Sequence, residues 1–250
     1  MLRERPQARY FGPKYMTNLT ASINQVNERL AAAARDAGRS ARDITLLAVS
    51  KGQPAAAIRA ARQLGLRDFG ENYLQEALAK IAALDDLGID WHFIGPVQSN
   101  KTRAVAEQFA WVHSVDRLKI AQRLSAQRPA AMAPLNICIQ VNIDGAAGKS
   151  GVAPDAVAAL AEAVAGLPGL RLRGLMAIPD PAGDPQGQRA HFFHLAQLLA
   201  TLRTRGSALG GLDTLSMGMS DDLEAAIAEG ATLVRVGTAI FGSRQQFLGD

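Results

Sequence analysis

The chain has 250 residues, of which 48% are hydrophobic and 20% are charged, with a formal net charge of +4. This length allows one large α/β domain or two small ones, and the hydrophobic share is sufficient for a substantial core. Residues 1–15 hold four basic residues and one acidic residue, a net +3 that leaves +1 for residues 16–250. The basic balance is therefore mostly a property of the first residues, and we expect no nucleic-acid partner.

We interpret residues 1–15 as a disordered basic tail, with Met16 as a candidate natural start, and residues 16–250 as one domain. The tail lacks the apolar segment of a secretory signal, and no stretch approaches the ~18 uncharged apolar residues of a membrane span. The lone cysteine, Cys138, lies in an apolar run and cannot form an internal disulfide. We therefore expect a cytoplasmic protein without a membrane partner.

Short apolar runs alternate with segments of helical period, a pattern typical of repeated βα units. A leading helix is predicted from about Thr17 to Ala37. Eight strands are predicted to begin near Ile44, Asp68, Trp91, Trp111, Asn136, Arg171, Thr214 and Leu233. Helices are predicted after the first seven strands, at Pro54–Leu64, Tyr73–Leu84, Asn100–Phe109, Arg117–Ala126, Pro154–Ala165, Gln188–Arg203 and Asp221–Glu229.

Eight parallel strands with outer helices predict a single closed (β/α)8 TIM barrel, preceded by an extra amino-terminal helix. An open doubly wound sheet is the alternative. Its Gly-x-Gly-x-x-Gly turn is absent after the first strand, where the sequence reads Ser50-Lys51-Gly52-Gln53-Pro54. The barrel is the better interpretation.

Lys51 stands where the first predicted strand gives way to a loop. An amine partly withdrawn from water loses its proton more easily and becomes a candidate Schiff-base nucleophile. A solvated strand-end lysine is the alternative. Two later strand ends, Leu215–Ser220 and Leu233–Ala239, combine glycines with hydroxyls in a manner suited to an anion. A reactive lysine with a phosphate site nearby suggests pyridoxal phosphate (PLP).

The phosphate site is expected between the loops after strands seven and eight, where barrels commonly bind phosphate. Ser216 and Ser220 offer hydroxyls on strand seven and its loop, and Gly237 and Thr238 open a short segment after strand eight. Arg235 shares a strand face with Gly237. A guanidinium within an apolar strand needs an acceptor to offset the cost of its desolvation, and we expect it to meet a ligand or an inward-facing polar group.

Other polar residues have simpler interpretations. Asp221 and Glu224 have the spacing of a capping box for the following helix, which we favour over a role in the site. Lys149 follows strand five and either faces the pocket or is a solvated loop lysine.

The histidines do not predict a metal site. His191 and His194 are three residues apart on a predicted helix, but no third ligand is evident, and we expect no metal. His92 and His113 lie on strands three and four, where hydrogen-bonded core histidines are the common outcome.

The chain resembles the pyridoxal phosphate homeostasis protein family from about Met16 to Arg244. Long ordered blocks support the resemblance, namely Val49–Gly52, Phe69–Glu76, Trp91–Lys101, His113–Arg117, Leu215–Ser220 and Val234–Gly242. The family implies a single barrel like the amino-terminal domain of bacterial alanine racemase, a cytosolic location and PLP as the cofactor.

The resemblance also implies roles for individual residues. It makes Lys51 the Schiff-base lysine, places Asn72 beside the cofactor and gives Arg235 to the pyridine nitrogen. It assigns the phosphate to Ser216, Gly237 and Thr238. Many relatives have a second lysine two positions after the Schiff-base lysine, where this chain has Gln53, so a transfer route that uses that amine is in doubt.

The family implies a role in balancing vitamin B6 vitamers and amino-acid pools without established catalysis, with PLP-dependent enzymes as candidate recipients of the cofactor. A carboxylate at the ring nitrogen would keep it protonated and electron-withdrawing, whereas Arg235 leaves the nitrogen unprotonated and the cofactor a weaker electron sink. The arginine alone does not exclude catalysis, because alanine racemase works with such an arrangement. A racemase also needs a second base opposite the lysine, and none is evident, so we predict no catalytic residue. Two alternatives remain open: a PLP-dependent amino-acid racemase, with Tyr73 as a conceivable second base, and a cofactor-free lysine aldolase.

Overall fold

Eight parallel strands pair in chain order, and the eighth pairs with the first to close a barrel. The computed structural model describes residues 12–146, 148–180 and 185–242. The strands are β1 (Thr45–Val49), β2 (Asp68–Glu71), β3 (Asp90–Phe93), β4 (Trp111–Val115), β5 (Leu135–Gln140), β6 (Leu170–Met176), β7 (Thr214–Ser216) and β8 (Leu233–Val236). Each strand begins within one residue of its predicted start, which confirms the TIM barrel.

The described α-helices are α1 (Pro13–Asp36), α2 (Ala55–Gln63), α3 (Leu74–Ala83), α4 (Thr102–Gln108), α5 (Leu118–Gln127), α6 (Val157–Ala165), α7 (Pro185–Arg203), α8 (Ser207–Gly210), α9 (Leu223–Ala228) and α10 (Thr238–Phe241). All seven predicted connecting helices are present. The short α8 was not predicted, because four residues are too few to show a helical period.

The leading helix starts earlier than predicted. The predicted tail falls mostly on residues 1–11, which lie outside the described residues, but α1 begins at Pro13 and makes residues 13–15 helical. Proline is favoured in the first turn, where its missing N–H is not needed. Tyr15 packs partly buried against the core. The apolar face of α1 lies against α9 and α10, on the outside of the barrel.

The barrel interior is unusually polar for a core. On β8, Val234 and Val236 belong to the hydrophobic core. Because successive strand residues point to opposite faces, Arg235 points into the barrel instead. Glu71, His92 and His113 are also buried polar residues on strands. No helix within the described ranges is both long and apolar enough to cross a membrane.

Candidate functional site

A cavity of about 450 Å³ lies at the carboxyl-terminal ends of the strands. Five of the six predicted binding residues line it, and these are Lys51, Asn72, Arg235, Gly237 and Thr238. They come from β1, β2 and β8 or from the loops directly after those strands. The closed barrel therefore brings together residues that are far apart in the sequence. We refer to this edge, with its cavity, as the carboxyl-terminal rim.

Arg235 is 4% exposed and is held by neutral oxygens. Its Nη1 donates to the carbonyl oxygen of Ser216 at 2.5 Å and to the Oγ of Ser216 at 2.8 Å, and its Nη2 donates to the carbonyl oxygen of Ala177 at 2.9 Å. Burial lowers the pKa of Arg235 to about 10, so the group stays charged at neutral pH. No ion pair of Arg235 is found among the described residues. Its charge is therefore available to a ligand.

Ser216, the sixth predicted residue, lies behind Arg235 and does not line the cavity. Its side chain is fully buried, and its hydroxyl contacts both Arg235 and the Nδ1 of His113, the latter at 2.8 Å. Ser220, which follows the turn at Gly218, lines the cavity instead. The role of Ser216 at the phosphate stays a prediction, but the contacts of its hydroxyl favour a role in holding Arg235.

The predicted capping box of Asp221 and Glu224 is wrong. Asp222 occupies the cap position of α9, and its carboxylate accepts a hydrogen bond from the backbone N–H of Met219. Glu224 instead pairs with Arg29 of α1, whose Nε and Nη2 lie 2.7 and 2.9 Å from the carboxylate oxygens. A partner from a distant helix thus competes successfully with the local cap.

Arg29 is a residue of the site that sequence reasoning missed. It lines the cavity, and its Nη2 also donates to the carbonyl oxygen of Ser220 at 2.9 Å. The leading helix thereby holds the loop that presents Ser220. The hydrogen bond from Arg29 lowers the pKa of Glu224, against the effect of partial burial. Nothing in the pattern of α1 marked Arg29, because its partners lie almost two hundred residues away.

A buried ion pair supports the residue before Lys51. The Nζ of Lys80 donates to the carbonyl oxygen of Ser50 and to the Oε1 of Glu71, both at 2.7 Å. The hydroxyl of Ser50 also donates to Oε1 of Glu71, at 2.6 Å. Burial raises the pKa of Glu71, and the nearby ammonium of Lys80 opposes that rise. These contacts fix the start of the loop that presents Lys51.

Glu76 completes this support on the other side of Lys51. Its Oε1 accepts hydrogen bonds from the backbone N–H of Gly52 and from the Nζ of Lys80, both at 2.5 Å. Glu76 and Lys80 are four residues apart on α3, a spacing that could have revealed the pair. Gln53, two residues after Lys51, is 5% exposed.

Close backbone packing positions Asn72. A Cβ added to Gly95 would lie 2.1 Å from the carbonyl oxygen of Asn72, so only glycine fits there. The side-chain oxygen of Asn72 has no hydrogen-bond partner within the described part of the chain. An amide that is held in place but only partly hydrogen-bonded is suited to contact a ligand.

Lys149 lies beside the site, but carboxylates compensate its charge. Its Nζ is 2.5 Å from Asp144 and 2.8 Å from Asp180. Although burial opposes the change, hydrogen bonds from Lys149 and from backbone N–H groups lower the pKa of Asp144 to about 2. Lys149 lines a second cavity of about 220 Å³, which shares Asn72, Ile94 and Ile178 with the first. Of the two interpretations of Lys149, a pocket-facing residue or a solvated loop lysine, the structure therefore favours the first.

The remaining candidates have structural roles. Among the described residues, no group of three metal-ligating side chains occurs. His92 and His113 are buried and hydrogen-bonded, as expected of core histidines. Burial raises the pKa of Cys138 to about 12, which keeps the thiol protonated and unreactive.

Comparison with known proteins agrees with this geometry. A family profile described as "Alanine racemase, N-terminal domain" matches residues 24–245. An alanine racemase of Corynebacterium glutamicum has a similar fold, with a TM-score of 0.67 at 17% identity, over 91% of this chain and 62% of that one. Fold and profile thus define the class as proteins built on the alanine racemase amino-terminal barrel.

Closer similarity identifies the family within that class. A pyridoxal phosphate homeostasis protein of Pseudomonas aeruginosa is 62% identical over 229 residues, which cover 92% of this chain and 97% of the relative. The PipY protein of Synechococcus elongatus, solved with PLP bound, is 40% identical with a TM-score of 0.76, over 87% of this chain and 100% of that one. The chain belongs to the pyridoxal phosphate homeostasis protein family. The name of the Pseudomonas aeruginosa relative describes homeostasis and not a reaction.

Proposed function

We propose that this protein binds pyridoxal 5'-phosphate in the cavity at the carboxyl-terminal rim and acts in intracellular vitamin B6 homeostasis. The observation that supports this most strongly is Arg235, a buried charged guanidinium that lines the cavity beside Lys51 and has neutral oxygens as its hydrogen-bond partners. A cation in that position favours a ligand with acceptor atoms. PLP, with its ring nitrogen and phosphate, has such atoms.

The residues present fit each part of PLP. When bound, PLP supplies an aldehyde that forms a covalent bond with a lysine amine, and Lys51 is the lysine on the cavity wall. Arg235 would donate to the unprotonated ring nitrogen, and Asn72 would contact the ring substituents. A volume of about 450 Å³ lies within the usual range of about 300–1,000 Å³ for small-molecule sites.

The phosphate would lie against the start of α10. Thr238 and Ala239 open this helix, so their backbone N–H groups have no partner inside it. A Cβ at Gly237 would lie 3.1 Å from the carbonyl oxygen of Val49, so the backbone is closely packed at this point. The hydroxyls of Thr238 and Ser220 line the same cavity. We assign the phosphate to Ser220, Gly237, Thr238 and Ala239, with Ser216 acting behind them.

Binding and release of PLP fit the site better than racemisation. The cationic donor Arg235 favours an unprotonated ring nitrogen, so the ring remains a weaker electron sink than one whose nitrogen is kept protonated by a carboxylate. Tyr73, the conceivable second base, is 56% exposed and lines a separate cavity with Pro96 and Gln98. We therefore infer a protein that holds PLP and releases it to PLP-dependent enzymes in the cytoplasm. With Gln53 in place of a lysine, that release does not use an amine at this position.

Absorption spectroscopy of the purified protein tests the proposal. We expect a visible band that disappears on borohydride treatment, with the cofactor attached to Lys51 in peptide mass spectra. A protein without the band after incubation with PLP would contradict PLP binding and favour the cofactor-free aldolase. Exchange of the α-proton of an amino acid in deuterated water, with contaminating racemases removed, would favour the racemase.

A further inference from the structure

A continuous chain of polar side chains crosses the barrel from one rim to the other. The Nε2 of His92 lies 3.1 Å from the Oδ1 of Asp68, and its Nδ1 lies 2.9 Å from the Nε2 of His113. The Nδ1 of His113 lies 2.8 Å from the Oγ of Ser216, which lies 2.8 Å from the Nη1 of Arg235. Four hydrogen bonds thus connect a carboxylate to the arginine of the proposed PLP site.

The two ends of this chain lie at opposite rims. Asp68 is the first residue of β2, its side chain is 29% exposed, and it lines a cavity of about 410 Å³ with Thr45 and Trp111, which begin β1 and β4. We call this edge the amino-terminal rim. Arg235 lines the cavity of the carboxyl-terminal rim. The two histidines between them are at most 1% exposed.

Chemistry fixes the direction of every bond in the chain. Arginine only donates, so the Ser216 oxygen accepts from Arg235, and the buried Ser216 hydroxyl needs an acceptor for its own hydrogen. The Nδ1 of His113 is that acceptor, which leaves the proton of His113 on Nε2, from where it is donated to the Nδ1 of His92. The remaining N–H of His92 then faces Asp68, whose carboxylate only accepts.

The surroundings agree with this assignment. Burial lowers the pKa of His113 well below its usual value, with the nearby His92 and Arg235 adding to the effect, so the ring is neutral. The ring of His92 is stacked on Trp111, with centroids 5.4 Å apart and an angle of 6° between the planes. Stacking and hydrogen bonding together leave His92 one ring orientation.

We propose that His92 and His113 are positioning residues for Arg235, because Asp68 fixes the tautomers of both rings and thereby keeps the Ser216 oxygen directed at the guanidinium. Through this chain, the state of Asp68 at the amino-terminal rim alters the cofactor site at the other rim. The inference rests on the proposed function, since the cofactor is the group that Arg235 would contact. Aligned hydrogen bonds in a low-dielectric interior polarise and strengthen one another.

The tautomers can be measured in the absence of PLP. In wild-type protein labelled with ¹⁵N at histidine, NMR shifts should show His92 and His113 as neutral rings with the proton on Nε2. A proton on the Nδ1 of His113 would reverse the direction of the chain and overturn the proposal. This result does not depend on any variant being able to fold.

Asp68→Asn tests whether the chain affects the cofactor site. Removing the charge should weaken PLP binding by roughly three- to tenfold, the equivalent of a typical net hydrogen bond. Asp43→Asn is the matched control, since Asp43 is exposed, lines the same cavity and is bonded locally to the backbone N–H of Ser40. It should change the affinity by less than about twofold, as is usual for surface substitutions.

A double-mutant cycle shows whether the effect passes through the chain. Ser216→Ala removes the last connection to Arg235, so Asp68→Asn should change the affinity by less than about twofold in that background. An undiminished effect of Asp68→Asn in the Ser216→Ala protein would overturn the proposal, as would wild-type affinity in Asp68→Asn alone. A wild-type protein that binds no PLP would instead contradict the proposed function, and the coupling with it.

Discussion

The two rims of the barrel contain cavities of similar size, about 450 Å³ at the carboxyl-terminal rim and about 410 Å³ at the amino-terminal rim. They differ in how their charges are compensated. At the amino-terminal rim, Arg173 lies 2.6 Å from Asp213 and 4.7 Å above the ring of Trp111. At the carboxyl-terminal rim, Arg235 forms no such ion pair among the described residues and is held by carbonyl and hydroxyl oxygens, although the buried carboxylate of Asp222 favours its charge electrostatically.

Charge compensation is therefore a better guide to the site than cavity volume. A buried cation without a carboxylate partner has an unfavourable desolvation energy that an acceptor on a ligand can offset. Lys149, by contrast with Arg235, is paired with two carboxylates. We expect function at Arg235 and mainly structural roles where charges lie in ion pairs.

The largest expected effect comes from Lys51→Ala, which should abolish covalent attachment of PLP. The proposed bond requires the amine, whereas weak reversible binding through Arg235 and the phosphate residues should remain. Mass spectrometry after borohydride treatment measures the attachment. Lys149→Ala is the control at the same rim and should retain full labelling. Full labelling of the Lys51→Ala protein would show that another lysine is the nucleophile.

Substitution of Arg235 should have the next largest effect. Arg235→Gln keeps one donor and should weaken PLP binding by roughly tenfold, whereas Arg235→Glu should weaken it by roughly a hundredfold and shift the absorption band. The carboxylate favours a protonated ring nitrogen, which changes the electronic state of the cofactor. Affinities must be compared on variants with a cooperative melting transition. If both variants kept the spectrum and the affinity of the wild type, Arg235 would not contact the ring.

Each phosphate hydroxyl should affect PLP binding by no more than the Arg235→Glu substitution. Thr238→Val and Ser220→Ala each remove one hydroxyl from the cavity wall, and each should weaken PLP binding by roughly ten- to a hundredfold, as expected for a hydrogen bond to a charged group. Pyridoxal, which lacks the phosphate, serves as the control ligand and should bind both variants as it binds the wild type. If Ser216→Ala weakened binding of PLP but not of pyridoxal, Ser216 and not Ser220 would contact the phosphate.

The alternation of apolar runs and helical segments was enough to predict the barrel. Each strand start follows from a local run of residues, and local patterns are visible in a sequence. The rim position of Lys51, Gly237 and Thr238 was also predictable, because the carboxyl ends of parallel strands meet at one edge. Asn72 was expected there only from the family resemblance. Of these residues, Lys51 and Thr238 have the side-chain chemistry that marks a site directly.

Contacts between distant segments were not predictable. Arg29 reaches Glu224 and Ser220 from a helix outside the barrel, and the expected capping box failed because that ion pair replaced it. The position of Ser216 behind Arg235 depends on which face of β7 carries its side chain. The same limit hid the hydrogen-bond chain, since His92 and His113 each resemble an ordinary core histidine until their partners are known.

The smallest expected effect concerns the ion pair between Asp144 and Lys149 at the carboxyl-terminal rim. Although burial opposes it, hydrogen bonds from Lys149 and from backbone N–H groups lower the pKa of Asp144 to about 2, from an ordinary value of 3.8. A lowered pKa stabilises the folded state above the ordinary value, and this stability is lost as the pH falls towards 2.

Asp144→Asn should therefore reduce the free energy of unfolding by about 0.2–1 kcal/mol near neutral pH, as for a partly exposed ion pair. It should also reduce the loss of stability between about pH 4 and pH 2, because the variant has no carboxyl to protonate. Urea unfolding at a series of pH values measures both effects. Asp155→Asn, at an exposed carboxylate, is the matched control. If the variant and the wild type lost stability in parallel below pH 4, the Asp144–Lys149 pair would not be formed in solution. Lys149 would then, like Arg235, be a cation outside any ion pair, and the contrast between the two residues at this rim would be wrong.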